Sequence, residues 1–221
     1  MSTPRQAALR APFARLTRVT FAEGTCYLRE RDARLGAWID RVGRVGLRRQ
    51  RHQFSTLCRS IVAQQISAHA AMSIFARFAA LFEANGRPEP AALLEIEAER
   101  IRGCGISERK VAYLRSLAEA FASGALKGRR LGTLPDERVV ELLVELPGIG
   151  VWTAEMFLIF ALGRLDVFSL GDQALRAAVQ RVEGRPLSPA AIEKRAARWA
   201  PYRSDASLYL WKISHWRGAG P

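Results

Sequence analysis

The sequence predicts an all-α protein, and three observations carry this prediction. Along most of the 221 residues, apolar side chains recur at spacings of three and four, the period of a helix with one buried face. No stretch of useful length alternates between apolar and polar residues as a half-buried strand does. The connections are short and often contain glycine or proline, which is typical of helices that pack side by side. We therefore expect about ten helices.

The first helix is predicted over Arg31–Val42, where four apolar residues fall on one face. The other predicted helices are Phe54–Ala63, Ser67–Phe82, Pro88–Ile101, Ser107–Ala122, Pro135–Glu145, Val151–Leu162, Asp172–Val182, Ser188–Trp199 and Arg203–Trp216. Gly124–Leu134 is predicted to be a loop. Ser67 and Ser107 are suitable N-caps, because a hydroxyl oxygen can accept a hydrogen bond from an unpaired backbone N–H group.

Residues 1–30 are predicted to form an N-terminal extension. The first acidic residue is Glu23, and the basic residues before it resemble the composition of an organellar transit peptide. Pro4 and Pro12 interrupt that stretch, and arginine is frequent along the whole chain. We therefore favour a disordered or loosely packed N-terminus of a cytoplasmic protein.

The chain is strongly basic. It has 34 Lys+Arg against 21 Asp+Glu, a formal net charge of +13. Such an excess on a globular chain indicates either a polyanionic partner, most often nucleic acid, or an arginine-biased genome. Charge alone leaves both readings open.

Cysteine, histidine and hydropathy exclude several classes of protein. The three cysteines are far apart and form no CxxC motif, which argues against a disulfide framework, a zinc site or a cysteine-ligated iron–sulfur cluster. The three histidines lack metal-ligand spacing. The most apolar run, Val151–Leu162, is shorter than the roughly 20 residues of a membrane-spanning helix.

One segment points to phosphate binding. It reads Leu146-Pro147-Gly148-Ile149-Gly150-Val151-Trp152-Thr153-Ala154. Two glycines allow a tight bend, and the first N–H groups of the following helix have no partners within that helix. These donors and the positive end of the helix dipole suit a phosphate. By itself, the pattern also fits an αα-hairpin with a glycine turn and no ligand.

The surrounding motifs strengthen the phosphate interpretation. They are Ser60-Ile61-Val62-Ala63-Gln64-Gln65-Ile66-Ser67, Gly105-Ile106-Ser107-Glu108-Arg109-Lys110, Glu155-Met156-Phe157, Asp166-Val167-Phe168 with Asp172, and Trp199-Ala200-Pro201-Tyr202-Arg203-Ser204 with Trp211. In this order and spacing, over about Asp32 to Trp216, the sequence resembles the helix-hairpin-helix DNA glycosylase superfamily and its 3-methyladenine DNA glycosylase II group.

The resemblance implies two helical subdomains flanking an active-site cleft. One would combine residues 31–53 with 168–221, and the other would be residues 54–167 with the hairpin. It also implies a monofunctional DNA N-glycosylase that hydrolyses the N-glycosidic bond of alkylated bases in duplex DNA. The product would be an abasic site in base-excision repair. We expect a monomer, associated with the nucleoid if the source is a bacterium.

Asp172 is the catalytic carboxylate that the resemblance implies. Breaking an N-glycosidic bond develops positive charge on the sugar, which a fixed carboxylate stabilises. Asp172 also starts a predicted helix, so an N-cap is the alternative, and the two roles are compatible. Trp152 stands where bifunctional relatives carry a Schiff-base lysine, and no lysine lies between Lys127 and Lys194.

The resemblance also implies a base pocket and DNA contacts. Trp152, Trp211 and Met156 match pocket positions, although each tryptophan could instead be a core residue. Gln65 is the candidate wedge that fills the gap left by a flipped base, the alternative being a helix connection with no DNA role. The expected DNA-contacting residues are Gly148, Gly150, Val151, Thr153, Gln65, Arg109 and Lys110.

No cofactor is expected to be required. Main-chain carbonyls of Val144, Leu146 and Ile149 match those that hold a monovalent cation at the hairpin in some relatives. Two other functions stay open at this point. One is a non-catalytic helix-hairpin-helix DNA-binding protein, and the other is a glycosylase for another lesion such as uracil or an oxidised purine.

Overall fold

A computed structural model describes residues 18–47, 50, 52–82, 86–126 and 128–221, and the all-α prediction is confirmed. The helices are α1 (Arg18–Arg31), α2 (Ala33–Val42), α3 (Gln53–Ala63), α4 (Ala68–Ala79), α5 (Pro90–Glu95), α6 (Ala98–Gly103), α7 (Glu108–Ala122), α8 (Gly128–Leu131), α9 (Asp136–Val144), α10 (Val151–Phe157), α11 (Gln173–Glu183), α12 (Pro189–Ala197) and α13 (Arg203–Ser214). A π-helical turn, Leu158–Leu162, directly follows α10.

The chain divides into two compact units. Gln50–Phe157 forms the central unit, and Met1–Arg49 with Leu158–Pro221 forms the terminal unit. The central unit is therefore one continuous segment, whereas the terminal unit needs both ends of the chain.

The core of the terminal unit is built from α1, α2, α11, α12 and α13. It comprises Leu28, Leu35, Trp38, Ile39, Val42, Phe168, Leu175, Ala178, Val179, Val182, Ile192, Ala196, Trp199, Ala206, Tyr209, Leu210 and Ile213. The buried Asp32 lies between α1 and α2, and its backbone N–H donates to the Leu28 carbonyl of α1. Its carboxylate accepts from the Leu35 N–H at the start of α2, from Arg195 of α12 and from the Trp199 indole. Burial raises the pKa of Asp32, but these hydrogen bonds outweigh burial and lower it from its ordinary value.

Helix α1 corrects the prediction of a loosely packed segment over residues 18–30; residues 1–17 of the predicted extension lie outside the described residues. Gly24 faces α13 so closely that a Cβ there would overlap the Asp205 carboxyl. The Thr25 and Tyr209 hydroxyls are 3.0 Å apart, and the Tyr27 hydroxyl donates to the Ala200 carbonyl at 2.8 Å. These contacts fix α1 on its unit.

Helices α3 to α10 form the central unit. Helix α3 packs against α4, α7 and α10, α5 packs against α7, and α9 packs against α10. Buried apolar residues from α3, α4 and α7 lie between these helices, among them Leu57, Ile61, Phe78, Leu114 and Leu117. Helices α9 and α10 are the two arms of the predicted hairpin.

Three predicted elements of the chain need correction. The single helix predicted over Pro88–Ile101 is two helices, α5 and α6, because Ile96 is extended and buried. The Arg115 guanidinium donates to the carbonyls of Leu94 and Ile96, which compensates the interrupted helix. The predicted loop Gly124–Leu134 contains the short helix α8. Val151–Leu162 is helical throughout, but it changes from α to π after Phe157.

The two predicted N-caps differ in outcome. The Ser67 hydroxyl accepts a hydrogen bond from the Ala70 N–H at 3.2 Å, so that cap is confirmed. Ser107 occupies the N-cap position of α7, but its side chain makes no capping hydrogen bond, so that prediction is wrong.

Candidate active site and hairpin

The hairpin between α9 and α10 is a tight turn. The N–H of Leu146 donates to the Leu143 carbonyl, and the N–H of Ile149 donates to the Leu146 carbonyl, each at 3.1 Å. Gly148 has φ +83°, a left-handed conformation that favours glycine, and a Cβ there would overlap the Tyr113 ring. A Cβ at Gly150 would meet open space. Only the first of the two glycines is therefore demanded by the fold.

The start of α10 presents backbone donors and exposed side chains. The first bond along the helix runs from the Ala154 N–H to the Gly150 carbonyl, so the amides of Val151 and Thr153 precede it and lie at the open end. Val151 is 55% exposed and Trp152 is 49% exposed, whereas the Thr153 side chain is buried. The Thr153 hydroxyl is therefore not presented at the surface, and the predicted DNA contact of Thr153 stays a prediction.

The connection between α3 and α4 lies against this hairpin within the central unit. The Gln64 side-chain amide donates to the Gly148 carbonyl at 2.7 Å. Gln65 is exposed and has φ +58°, a left-handed conformation that it alone adopts among the described residues other than glycine. The structure thus presents the predicted wedge residue at the surface, beside the hairpin.

The two basic residues at the start of α7 differ in their surroundings. Arg109 is exposed. The Lys110 ammonium donates to the carbonyls of Val62 and Gln64 at 2.8 and 2.7 Å, where it closes the C-terminal end of α3. Burial, with a smaller contribution from Arg109, lowers the pKa of Lys110. The exposed Arg109 is therefore the better candidate for a phosphate contact, whereas the Lys110 ammonium also stabilises the fold through these two hydrogen bonds.

Asp172 lies in the terminal unit and is 8% exposed. It is the N-cap of α11: one carboxylate oxygen accepts from the Leu175 N–H at 2.9 Å. The other accepts from the Trp211 indole N–H at 3.2 Å, and the Trp211 ring stacks on Phe160 with centroids 5.7 Å apart. The two donors fix the carboxylate in one orientation, which is what electrostatic stabilisation of a developing charge requires.

The remaining predicted pocket residues belong to α10 of the central unit. Trp152 is half exposed, and the Met156 side chain is buried. The predicted pocket of Trp152, Met156 and Trp211 stays a prediction.

The described part of the chain offers no conventional metal centre. It contains no group of three or more His, Cys, Asp or Glu residues able to hold an ion. In that same part, no helix combines the length and the apolar character needed to cross a bilayer.

Comparison with known proteins assigns the family. Residues 58–202 match the model of the family described as HhH-GPD superfamily base excision DNA repair protein. The chain belongs to the HhH-GPD superfamily. DNA-3-methyladenine glycosylase 1 of Schizosaccharomyces pombe is 34% identical over 168 residues, which are 75% of this chain and 74% of that protein.

Two solved structures support the same assignment. The DNA-3-methyladenine glycosidase of Bacillus halodurans is 36% identical, with a TM-score of 0.78 over 86% of this chain and 87% of its own. The 3-methyladenine DNA glycosylase of S. pombe, solved in complex with abasic DNA, is 32% identical. Its TM-score is 0.79, over 88% of this chain and 98% of its own.

Three residues gain a structural role that the sequence did not give them, two at the hairpin of the central unit and one beside Trp211 in the terminal unit. Gln64 holds the hairpin carbonyl, Tyr113 packs on Gly148, and Phe160 stacks on Trp211. One signal was available for Tyr113, because it lies three residues after Lys110 and so on the same face of α7. Gln64 stands beside the predicted wedge, but its own role requires the three-dimensional contact.

Proposed function

We propose that this chain is a monofunctional DNA N-glycosylase that releases alkylated bases, of the 3-methyladenine type, from duplex DNA in base-excision repair. One observation carries the proposal: within a chain of the HhH-GPD superfamily, the buried Asp172 carboxylate is held by two hydrogen-bond donors. The relatives named DNA-3-methyladenine glycosylase and glycosidase support the substrate class.

Asp172 supplies the chemistry. As the bond between the damaged base and C1′ lengthens, the sugar becomes positively charged, and a carboxylate fixed near it lowers the energy of that state. The same carboxylate can orient or deprotonate the attacking water. The base leaves, water adds to C1′, and an abasic site results.

The absence of a suitable lysine in the sequence favours water as the nucleophile. A bifunctional enzyme forms a Schiff base between a lysine amine and the sugar and then cleaves the strand. The equivalent position here is Trp152, and the nearest lysines in sequence are Lys127 and Lys194. The strand is therefore expected to stay intact.

Phosphate contacts are proposed to hold the DNA. The amides at the start of α10 and the exposed Arg109 are suited to the backbone, and the net charge of +13 favours any polyanion. Gln65 would enter the base stack in place of the flipped nucleotide. Because phosphate contacts carry no sequence information, we expect recognition of damage rather than of sequence.

Cation binding at the hairpin is a further part of the proposal. The Leu146 carbonyl accepts one hydrogen bond, from the Ile149 N–H, and a carbonyl oxygen can accept a second partner. With the carbonyls of Val144 and Ile149 it would hold a monovalent cation that faces the phosphate. DNA affinity in potassium compared with tetramethylammonium at equal ionic strength tests this site.

We further propose a monomer that acts in the cytoplasm, at the nucleoid in a bacterium; light scattering measures the oligomeric state.

The experiment that tests the function is a release assay. Duplexes carrying 3-methyladenine, 7-methylguanine, uracil or 8-oxoguanine are incubated with the purified protein, and free bases are separated from DNA. We expect release of the methylated purines, strand cleavage only after alkali, and no adduct trapped by borohydride. Release of only uracil or only 8-oxoguanine would show that alkylated bases are not the substrate. Binding to DNA without release of any base would indicate a non-catalytic binding module.

A further inference from the structure

The turn of the hairpin is held from two sides within the central unit. On one side, the Gln64 side-chain amide donates to the Gly148 carbonyl at 2.7 Å. On the other, the Tyr113 ring lies where a Cβ of Gly148 would be. The turn that presents the phosphate-binding amides is therefore set by a loop residue and a helix residue distant in sequence.

The loop that carries Gln65 is held by the same helix. One turn before Tyr113 on α7, the Lys110 ammonium donates to the main-chain carbonyls of Val62 and Gln64 at 2.8 and 2.7 Å. Gln64 is thus fixed at its backbone by Lys110, while its side chain reaches the hairpin. The next residue, Gln65, is exposed in a left-handed conformation, which is unfavourable for a non-glycine residue and persists only where its neighbours impose it.

We infer that Gln64 is a positioning residue that couples the hairpin to the wedge loop, so that phosphate capture by the hairpin sets where Gln65 meets the base stack. This inference rests on the proposed function, because it gives Gln65 a base-pair-opening role. Gln64 itself need not touch the DNA. Its amide keeps loop and hairpin in one arrangement before DNA binds, which removes the cost of ordering the loop during base flipping.

The test separates base flipping from chemistry. Gln64→Leu keeps the approximate size of the side chain and removes the donor to Gly148. Base release under single-turnover conditions is measured on two substrates, a lesion in a normal base pair and the same lesion in a one-nucleotide bulge, where no pair has to be opened. We expect about a tenfold loss on the paired lesion, the effect of one lost hydrogen bond of this kind, and less than a twofold loss on the bulge.

Two further variants make the result specific. Gln180→Leu is the matched control: this amide also bonds to backbone groups, the Arg176 carbonyl and the Leu187 N–H, but lies in the terminal unit. We expect it to leave the ratio of the two rates unchanged even if it lowers the melting temperature. Lys110→Met removes the other tie on the loop, so its effect and that of Gln64→Leu on this ratio should be non-additive.

Each outcome decides the matter. An equal loss on both substrates, or no loss on either, overturns the positioning role. If the wild-type protein releases no base from either substrate, the proposed function fails first, and that result is distinct from a change in the ratio. A Gln64→Leu protein with an unchanged melting temperature and a selective loss on the paired lesion establishes the coupling.

Discussion

Asp172 has two roles that one substitution can separate. Asparagine is as good an N-cap as aspartate, so Asp172→Asn should keep the hydrogen bond from the Leu175 N–H and the start of α11. It removes the negative charge, and the loss of one preorganised electrostatic group costs about 3–4 kcal/mol in a transition state. We expect base release to fall about 10²–10³-fold with DNA affinity nearly unchanged, and a modest loss of stability because the asparagine amide nitrogen cannot accept the Trp211 hydrogen bond.

Asp166→Asn is the matched control for that experiment. The Asp166 carboxylate accepts two hydrogen bonds from the Arg203 side chain in the same unit, and we give it no catalytic role. It should therefore leave base release within about twofold of the wild-type rate, since a partly exposed ion pair contributes only about 1 kcal/mol to stability. Normal turnover by Asp172→Asn would remove Asp172 from the mechanism.

Asp205 makes stability depend on pH. The side chain is fully buried on α13 against Gly24, and within the described residues neither carboxyl oxygen has a hydrogen-bond partner. Burial raises the pKa of Asp205 to about 8, whereas an unfolded aspartate has a pKa near 3.8. Between about pH 4 and pH 8 Asp205 therefore holds a proton in the folded protein but not in the unfolded chain, and the contribution of this group to stability falls as pH rises.

Denaturation by urea at a series of pH values measures this effect. Relative to Asp205→Asn, the wild-type free energy of unfolding should fall by about 1.4 kcal/mol per pH unit across that window. Below about pH 4 the difference between the two proteins should become constant, because both folded and unfolded Asp205 are then protonated. Parallel curves from pH 5 to pH 7.5 would contradict the buried, proton-bearing state of Asp205.

At the scale of the hairpin, the two glycines should respond differently to alanine. At Gly148 a Cβ would overlap the Tyr113 ring in a left-handed conformation, so Gly148→Ala should destabilise the protein by about 2–4 kcal/mol. At Gly150 the space is open, and alanine should cost no more than about 1 kcal/mol at this helix start.

DNA titrations at fixed salt complete the comparison of the glycine variants. Gly150→Ala should still weaken binding several-fold, because the methyl group lies where a phosphate would approach the amides of α10. Unchanged affinity in a stably folded Gly150→Ala protein would contradict phosphate binding at this point of the hairpin.

Local signals predicted most helices but not α1. The α1 segment contains Gly24 and has no clear apolar stripe. The helix is stabilised by contacts with α13, about 180 residues later in the chain, such as the contact between the Thr25 and Tyr209 hydroxyls. The break at Ile96 also gives no glycine or proline signal. Such features depend on tertiary packing, which overrides local propensity.

The residues of the candidate site that could be predicted from sequence are those whose chemical type is itself the signal, a carboxylate for catalysis and glycines for a tight turn. Asp172 and the two glycines follow from their motif, and the structure adds which atoms hold them. The Trp211 indole bonded to Asp172 and the Gln64 amide bonded to the hairpin were not predictable, because both join residues far apart in sequence. For Lys110 the sequence suggests only part of the role. Its place next to Arg109 predicts a phosphate contact, and the structure adds that its ammonium donates to two carbonyls at the C-terminal end of α3.

For the whole molecule, the net charge of +13 predicts salt-sensitive DNA binding. If about five phosphates are neutralised, the logarithm of the binding constant should fall with the logarithm of salt concentration at a slope near −4.5. Replacing the exposed Arg109 by methionine should reduce that slope by about one, whereas Gly150→Ala should leave it unchanged, because an amide releases no counterion. A flat dependence, or a strong preference for one undamaged sequence, would instead favour a sequence-specific binding module.

The division of the chain into a continuous and a split unit has a consequence for synthesis on the ribosome. Residues 50–157 can emerge and fold while the rest of the chain is still being translated, at roughly 5–20 residues per second. Helices α1 and α2 leave the ribosome before the helices that they pack against. The hydrogen bonds from Arg195 and Trp199 to Asp32, and the packing of Gly24 on α13, can form only after those later residues have been synthesised. Over that interval the apolar residues of α2, among them Leu35, Trp38 and Ile39, lack their native contacts with α11, α12 and α13.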